Sequence, residues 1–126
     1  MLVLNFSHPL TAEQIQQIEE SVGKVSEERR IRARVDTDLP LVPQAAAIAD
    51  ASNLSPEAWQ RGGFLIVPPS MAVLAIVLLA EIHGRMGEFP AIIRLHPTGE
   101  LIRRHEVAEI INLQQVRDVT ARLRRI

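Results

Sequence analysis

The chemistry open to this chain of 126 residues is narrow. It has four histidines, His8, His83, His96 and His105, and no cysteine. Without a thiol there is no cysteine nucleophile, no thiolate zinc site and no disulfide framework. His83, His96 and His105 lack the H-x-x-x-H or H-E-x-x-H spacing that sets two imidazoles on one helix face, so no metal is expected. No G-x-G-x-x-G or P-loop string is present, which removes the usual dinucleotide and nucleoside-triphosphate cradles, and no cofactor is expected. Spacing alone assigns no Ser-His-Asp set and no carboxylate pair. What remains are two short polar loops, Asn5-Phe6-Ser7-His8-Pro9 and Pro68-Pro69-Ser70-Met71. In the first, His8 could position a phosphate, act as a general acid or bond a base; it could equally be an ordinary surface histidine. Phe6 could stack on a base, although a place in the core is the simpler reading. Ser7 and Ser70 could donate to a phosphate or cap a helix.

The elements around these loops follow from periodicity. Residues 1–6 read as a short buried strand. Thr11 with Gln14 makes a capping box, Leu10 with Ile15 a hydrophobic staple, and Ile15, Ile18 and Val22 a helical face ended by Gly23. Residues 28–35 alternate, with Arg30, Arg32 and Arg34 on one face and Ile31, Ala33 and Val35 on the other, as in a strand near a sheet edge. An alanine-rich helix is expected over 43–51, and Ser55-Pro56-Glu57 starts another. There Trp59 has staple spacing with Leu54 and reads as a packing residue. Phe64 to Val67 is a continuous apolar run that suits a strand buried on both faces. Ser70 is then expected to cap a helix over 71–83. That helix is apolar nearly all round, hence central or covered by a partner, and Gly84 and Gly87 close it. Residues 91–95 and 101–111 read as a strand and its antiparallel return, and Asn112 with Gln115 starts a last helix bearing Val116, Val119 and Leu123.

The order β-α-β-α-β-α-β-β-α implies a single α/β domain, 1–126. Its mainly parallel sheet has a Rossmann-like or flavodoxin-like 2-1-3-4 order and an antiparallel C-terminal edge hairpin. In such a sheet a ligand sits beyond the carboxyl ends of the strands, where the order reverses. That point lies between the first and third strands, beside Asn5, Ser7, His8 and Ser70. Each loop there opens a helix, whose first N–H groups and positive dipole end suit an anion. His83-Gly84-Arg85-Met86-Gly87 falls at the opposite end of the sheet. It reads as a helix stop with a solvated Arg85, or as a second contact surface through His83, Arg85 and Met86 for another protomer. Arg103 and Arg104, beside His105 and Glu106, read as solvated groups of the hairpin.

Composition sets the class. Hydrophobic residues are 47% and charged residues 23%, with 14 basic against 15 acidic side chains and a net charge of −1. That balance argues against coating long nucleic acid. The N-terminus reads as a strand and not a signal peptide, and the apolar run from Met71 to Ala80 is about half the length a membrane helix needs. A cytoplasmic protein with no membrane contact is expected. Thirteen of the basic residues are arginine and one, Lys24, is lysine. Codon usage explains this bias plainly; anion recognition by the guanidinium fork is the functional alternative. No arginine lies in either loop, so an arginine contact has to come from elsewhere in a dimer.

Four strings, LNFSHPLT at 4–11, LSPEAWQ at 54–60, HGRMGEFP at 83–90 and EIINLQQVRD at 109–118, resemble the Csx-fifteen family of small proteins found with type III CRISPR loci. No such string occurs over 24–53. The resemblance implies a Rossmann-like, CARF-like domain that binds cyclic oligoadenylate, with cyclic tetra-adenylate the expected ligand, across the two-fold axis of a homodimer. It implies an off-switch in antiviral defence, a ring nuclease that removes the messenger. The family's ligand loops map onto Asn5, Phe6, Ser7, His8 and Pro9, and onto Pro69, Ser70 and Met71. The reaction implied is metal-independent attack of a ribose 2′-hydroxyl on the adjacent phosphate. His8 would then be the acid, with Ser7, Ser70 and backbone N–H groups stabilising charge. Neither loop has a lysine or a strong general base. Two other functions are open: non-catalytic sequestration, in which dimers could sandwich the ring and build a filament, and an oligomeric scaffold with no small ligand.

Overall fold

The computed structural model describes residues 1–99, 101–102 and 104–125. The elements are β1 (Leu2–Asn5), α1 (Ala12–Val22), β2 (Glu27–Arg30), α2 (Leu41–Ala51) and α3 (Pro56–Arg61), followed by β3 (Phe64–Val67), α4 (Ala72–Met86), β4 (Ala91–Thr98), β5 (Arg104–Asn112) and α5 (Leu113–Arg124). They build an α/β fold on one five-stranded mixed sheet of order β2-β1-β3-β4-β5. The first three pairings are parallel and β4 with β5 is antiparallel. The expected strand order and antiparallel edge are both present. None of the described helices is long and apolar enough to cross a membrane.

The central strands are apolar on both faces because helices cover both. On one face Leu4, Phe6, Phe64 and Ile66 pack with Ala45, Ile48 and Ala49 of α2, Trp59 of α3, and Leu74, Leu78 and Ile82 of α4. On the other, Val3, Leu65, Val67 and Ile93 pack with Ile18 of α1. Alternation along β1 sends its residues to these two cores in turn. Arg85 joins three helices on the first side. It pairs with Asp50 and with Glu81, both at 2.9 Å, donates to the Ala46 carbonyl at 3.2 Å, and lies 5.9 Å over the Trp59 ring. Burial opposes the guanidinium charge, but the bonds from Asp50 and Glu81 outweigh it and hold its pKa above the usual arginine value.

Four local expectations change. The alternation of 28–35 continues in burial, with Ile31 buried and Arg32 and Arg34 exposed, but strand pairing stops at Arg30. Ser70 does not cap α4: Met71 occupies that position and provides no side-chain bond. Gly84 lies inside α4, which runs on to Met86. Gly87 ends it in the left-handed region at φ 81°, its N–H donating to the His83 carbonyl at 2.8 Å. The strand expected over 91–95 runs on to Thr98, and its return spans Arg104–Asn112 where 101–111 was expected; they are paired from Thr98 with Arg104 back to Ala91 with Asn112. Arg103 lies outside the described residues.

The two C-terminal helices are less covered than their sequences suggest. α4 buries Leu74, Leu78, Ile82 and Met86, while its outward face of Ala72, Val73, Ile76, Ala80 and Gly84 is exposed and carries no charge. The helix α5 has its expected cap, Asn112 accepting from the Gln115 N–H at 3.0 Å, yet buries no residue.

Candidate functional site

The parallel register sets Asn5 of β1 beside Val67 of β3. The Phe6 N–H donates to the Val67 carbonyl at 3.0 Å, so the two following loops leave the sheet together. Asn5 builds the first loop. It is fully buried; its Oδ1 accepts the Ser7 N–H at 2.9 Å, and its Nδ2 donates to the His8 carbonyl and to Glu28 Oε2, each at 2.7 Å. An amide nitrogen has two hydrogens, and both are used here. Glu28, from the edge strand, also accepts the Leu10 N–H at 3.0 Å. Asn5 and Glu28 thus clamp residues 5–10 into one turn that leaves His8 and Pro9 exposed.

The second wall comes from the hairpin. β1 and β3 have four residues each, β4 eight and β5 nine. Ile66 pairs with Ile92, so the outer part of β4 projects past the carboxyl edge of β1 and β3. A bulge between Arg94 and Leu95 bends this overhang. Gln14 of α1, itself buried, ties it down. Its Nε2 donates to the His105 carbonyl at 2.7 Å, and Gln17 Oε1 accepts the Val107 N–H at 2.9 Å. The result is a cleft of about 460 Å³ lined by Ser7, His8, Gln14, Val67, Pro68 and Ser70 on one side and by 92–95 and His105 on the other.

The two helix ends at this edge differ. At α1 the capping box is complete: Thr11 Oγ1 accepts the Gln14 N–H at 3.1 Å and Gln14 Oε1 accepts the Thr11 N–H at 2.9 Å. At α4 no side chain caps the first turn, so its N–H groups are open to an acceptor.

The structure therefore brings Ser7, His8 and Ser70 together in one cleft. Asn5 lies beneath it with its amide fully engaged. Phe6 is 3% exposed and packs in the core with Leu4 and Trp59. Pro69 lines a neighbouring apolar groove of about 160 Å³ against α4, and Met71 is partly exposed at the start of that helix. Of the second contact surface, Arg85 is held by Asp50 and Glu81, Met86 is buried, and His83 lies against Phe89 at 4.2 Å between ring centroids. Arg94 and His105 are cleft residues that the sequence reading left on a solvated hairpin or unmentioned. The arginine that the loops lack is present as Arg94, which reaches the cleft from β4. Among the described residues no group of three His, Asp or Glu side chains could hold a metal ion. Comparison with protein-family models, with curated proteins and with solved structures gave no match.

The Asn5–Glu28 clamp makes a testable prediction. Asn5→Asp would set a second carboxylate against Glu28, and the folded pair would share a proton, with one pKa raised above its unfolded value. Its penalty relative to the parent chain is then small near pH 4 and grows as pH rises toward 7.5. Urea denaturation of both proteins across that range measures it, and a penalty independent of pH would contradict the clamp.

Proposed function

We propose that this chain is a Rossmann-like, CARF-like protein that binds cyclic tetra-adenylate as a homodimer and lowers the free level of that messenger, switching off type III CRISPR signalling. The observation that carries the reading is the cleft at the carboxyl edge of β1 and β3. It combines two serines and two histidines in one concave site, with the uncapped start of α4 two residues beyond Ser70. A cyclic oligonucleotide offers what these groups recognise: phosphates for N–H and hydroxyl donors, and base edges for imidazoles. The resemblance of residues 4–11, 54–60, 83–90 and 109–118 to the Csx-fifteen family supports the choice of ligand.

A pocket of roughly 300–1,000 Å³ suits a drug-sized molecule. One cleft of about 460 Å³ therefore takes part of a four-nucleotide ring, and two copies take the whole. The surface for a second copy is the outward face of α4, where Val73 is 55% and Ile76 69% exposed. This face has no charge, so a two-fold axis sets it against itself without repulsion. α5 adds Val116 and Leu123, 54% and 67% exposed, on a helix too short to be stable without packing. Ile76→Glu is expected to convert the dimer to monomer in sedimentation velocity; a dimer that persists contradicts this surface.

The site favours holding the ring over cutting it. Among the described residues no side chain hydrogen-bonds the His8 imidazole, so nothing fixes its tautomer as a catalytic pair would. The second reading is slow ring cleavage by the ribose 2′-hydroxyl, with His8 as acid; it needs in-line geometry more than a base, and His8 does line the cleft. Excess labelled cyclic tetra-adenylate incubated with the protein distinguishes the two. Sequestration predicts intact ligand recovered after denaturation, in stoichiometric amount. Multiple turnover to linear di-adenylate, lost in His8→Ala, would establish the nuclease instead. Absence of any thermal shift with cyclic oligoadenylates would leave a scaffold.

A further inference from the structure

We infer that Arg94 is the cation that meets a phosphate of the bound ligand, and that Glu109 holds it in place until the ligand arrives. This rests on the reading of the cleft as a cyclic-oligoadenylate site. Among the described residues Arg94 is the only arginine or lysine lining that cleft, and it stands on the overhanging wall opposite His8 and Ser70. Its cross-strand partner is Glu109, and Arg94 Nε donates to Glu109 Oε1 at 2.8 Å. Among the described residues the guanidinium makes no other hydrogen bond. Its two terminal nitrogens, the pair that grips two oxygens of one phosphate, are therefore unengaged.

The pairing is also easily exchanged. The Arg94 and Glu109 side chains are 54% and 52% exposed, and an ion pair so open to water adds little to stability. A phosphodiester offers two non-bridging oxygens to the fork where Glu109 now accepts one bond, and the fork can turn to it without breaking any other. The bulge after Arg94 interrupts the regular pairing at the point where this turn is needed. Net charge on the protein stays near zero, and the positive potential is supplied by one placed group.

The test is the dissociation constant for cyclic tetra-adenylate, measured by fluorescence anisotropy at several salt concentrations in the parent protein, Arg94→Ala, Arg94→Lys and Glu109→Gln. Melting temperatures confirm that each variant is folded. Arg94→Ala should weaken binding about 10- to 100-fold and reduce the log–log salt slope by about one. Arg94→Lys, with the charge but without the fork, should recover part of the loss. Glu109→Gln should bind a few-fold more tightly, because the competing carboxylate is gone. If the parent protein binds and Arg94→Ala binds within two-fold with an unchanged slope, the inference fails and the reading of the cleft survives. Weaker binding by Glu109→Gln would overturn the exchange of Glu109 for a phosphate. No binding by the parent protein overturns both the reading and the inference.

Discussion

The parallel pairing of β1 with β3 is the constraint from which the site follows. Both strands are four residues long, apolar, and covered by helices on each face. A shift of one residue would carry Leu4 and Ile66 into the wrong core, so the register is fixed by burial and Asn5 has to stand beside Val67. The chain leaves both strands at the same edge and height. Every polar group in the cleft owes its position to that fact, including those carried there by the longer hairpin strand that pairs with β3.

Fixing where the loops begin does not give them shape. Shape comes from two contacts between residues far apart in sequence. Asn5 and Glu28 lock the first loop across 23 positions, and Gln14 holds the carbonyl of His105 across 91. Each is a buried or half-buried polar group whose cost is met by a partner, and each would be expensive to leave single. They make the cleft a preformed concavity. A preformed site loses less ordering entropy on binding than a floppy one.

Much of this was legible in the residues. The capping box of Thr11 and Gln14, the caps at Ser55 and Asn112, the packing role of Trp59 and the buried run of 64–67 all rest on spacing within a few positions, and the structure contains them along with the expected sheet order. The location of the cleft was legible too, because strand order dictates where loops meet. Its composition was only partly so. Ser7, His8 and Ser70 face it, but Asn5 and Phe6 were singled out for their types while their side chains serve the loop and the core. Arg94 and His105 were hidden because their placement depends on how far the hairpin overhangs, which no local pattern encodes. Met71 at the cap of α4, in place of Ser70, was hidden for a related reason: two prolines set the chain direction there, and cap residue type alone does not. The unburied stripe of α5 looks like any core-facing helix until its surroundings are known.

Hydrogen–deuterium exchange with and without cyclic tetra-adenylate tests the central claim most directly, because it reports location without relying on any substitution. Protection is predicted in three separated stretches, residues 6–10, the first turn of α4 at 72–75, and the overhang at 93–97. Ligand-dependent protection confined to other parts of the sheet, or none at saturating ligand, would contradict the assignment of the cleft.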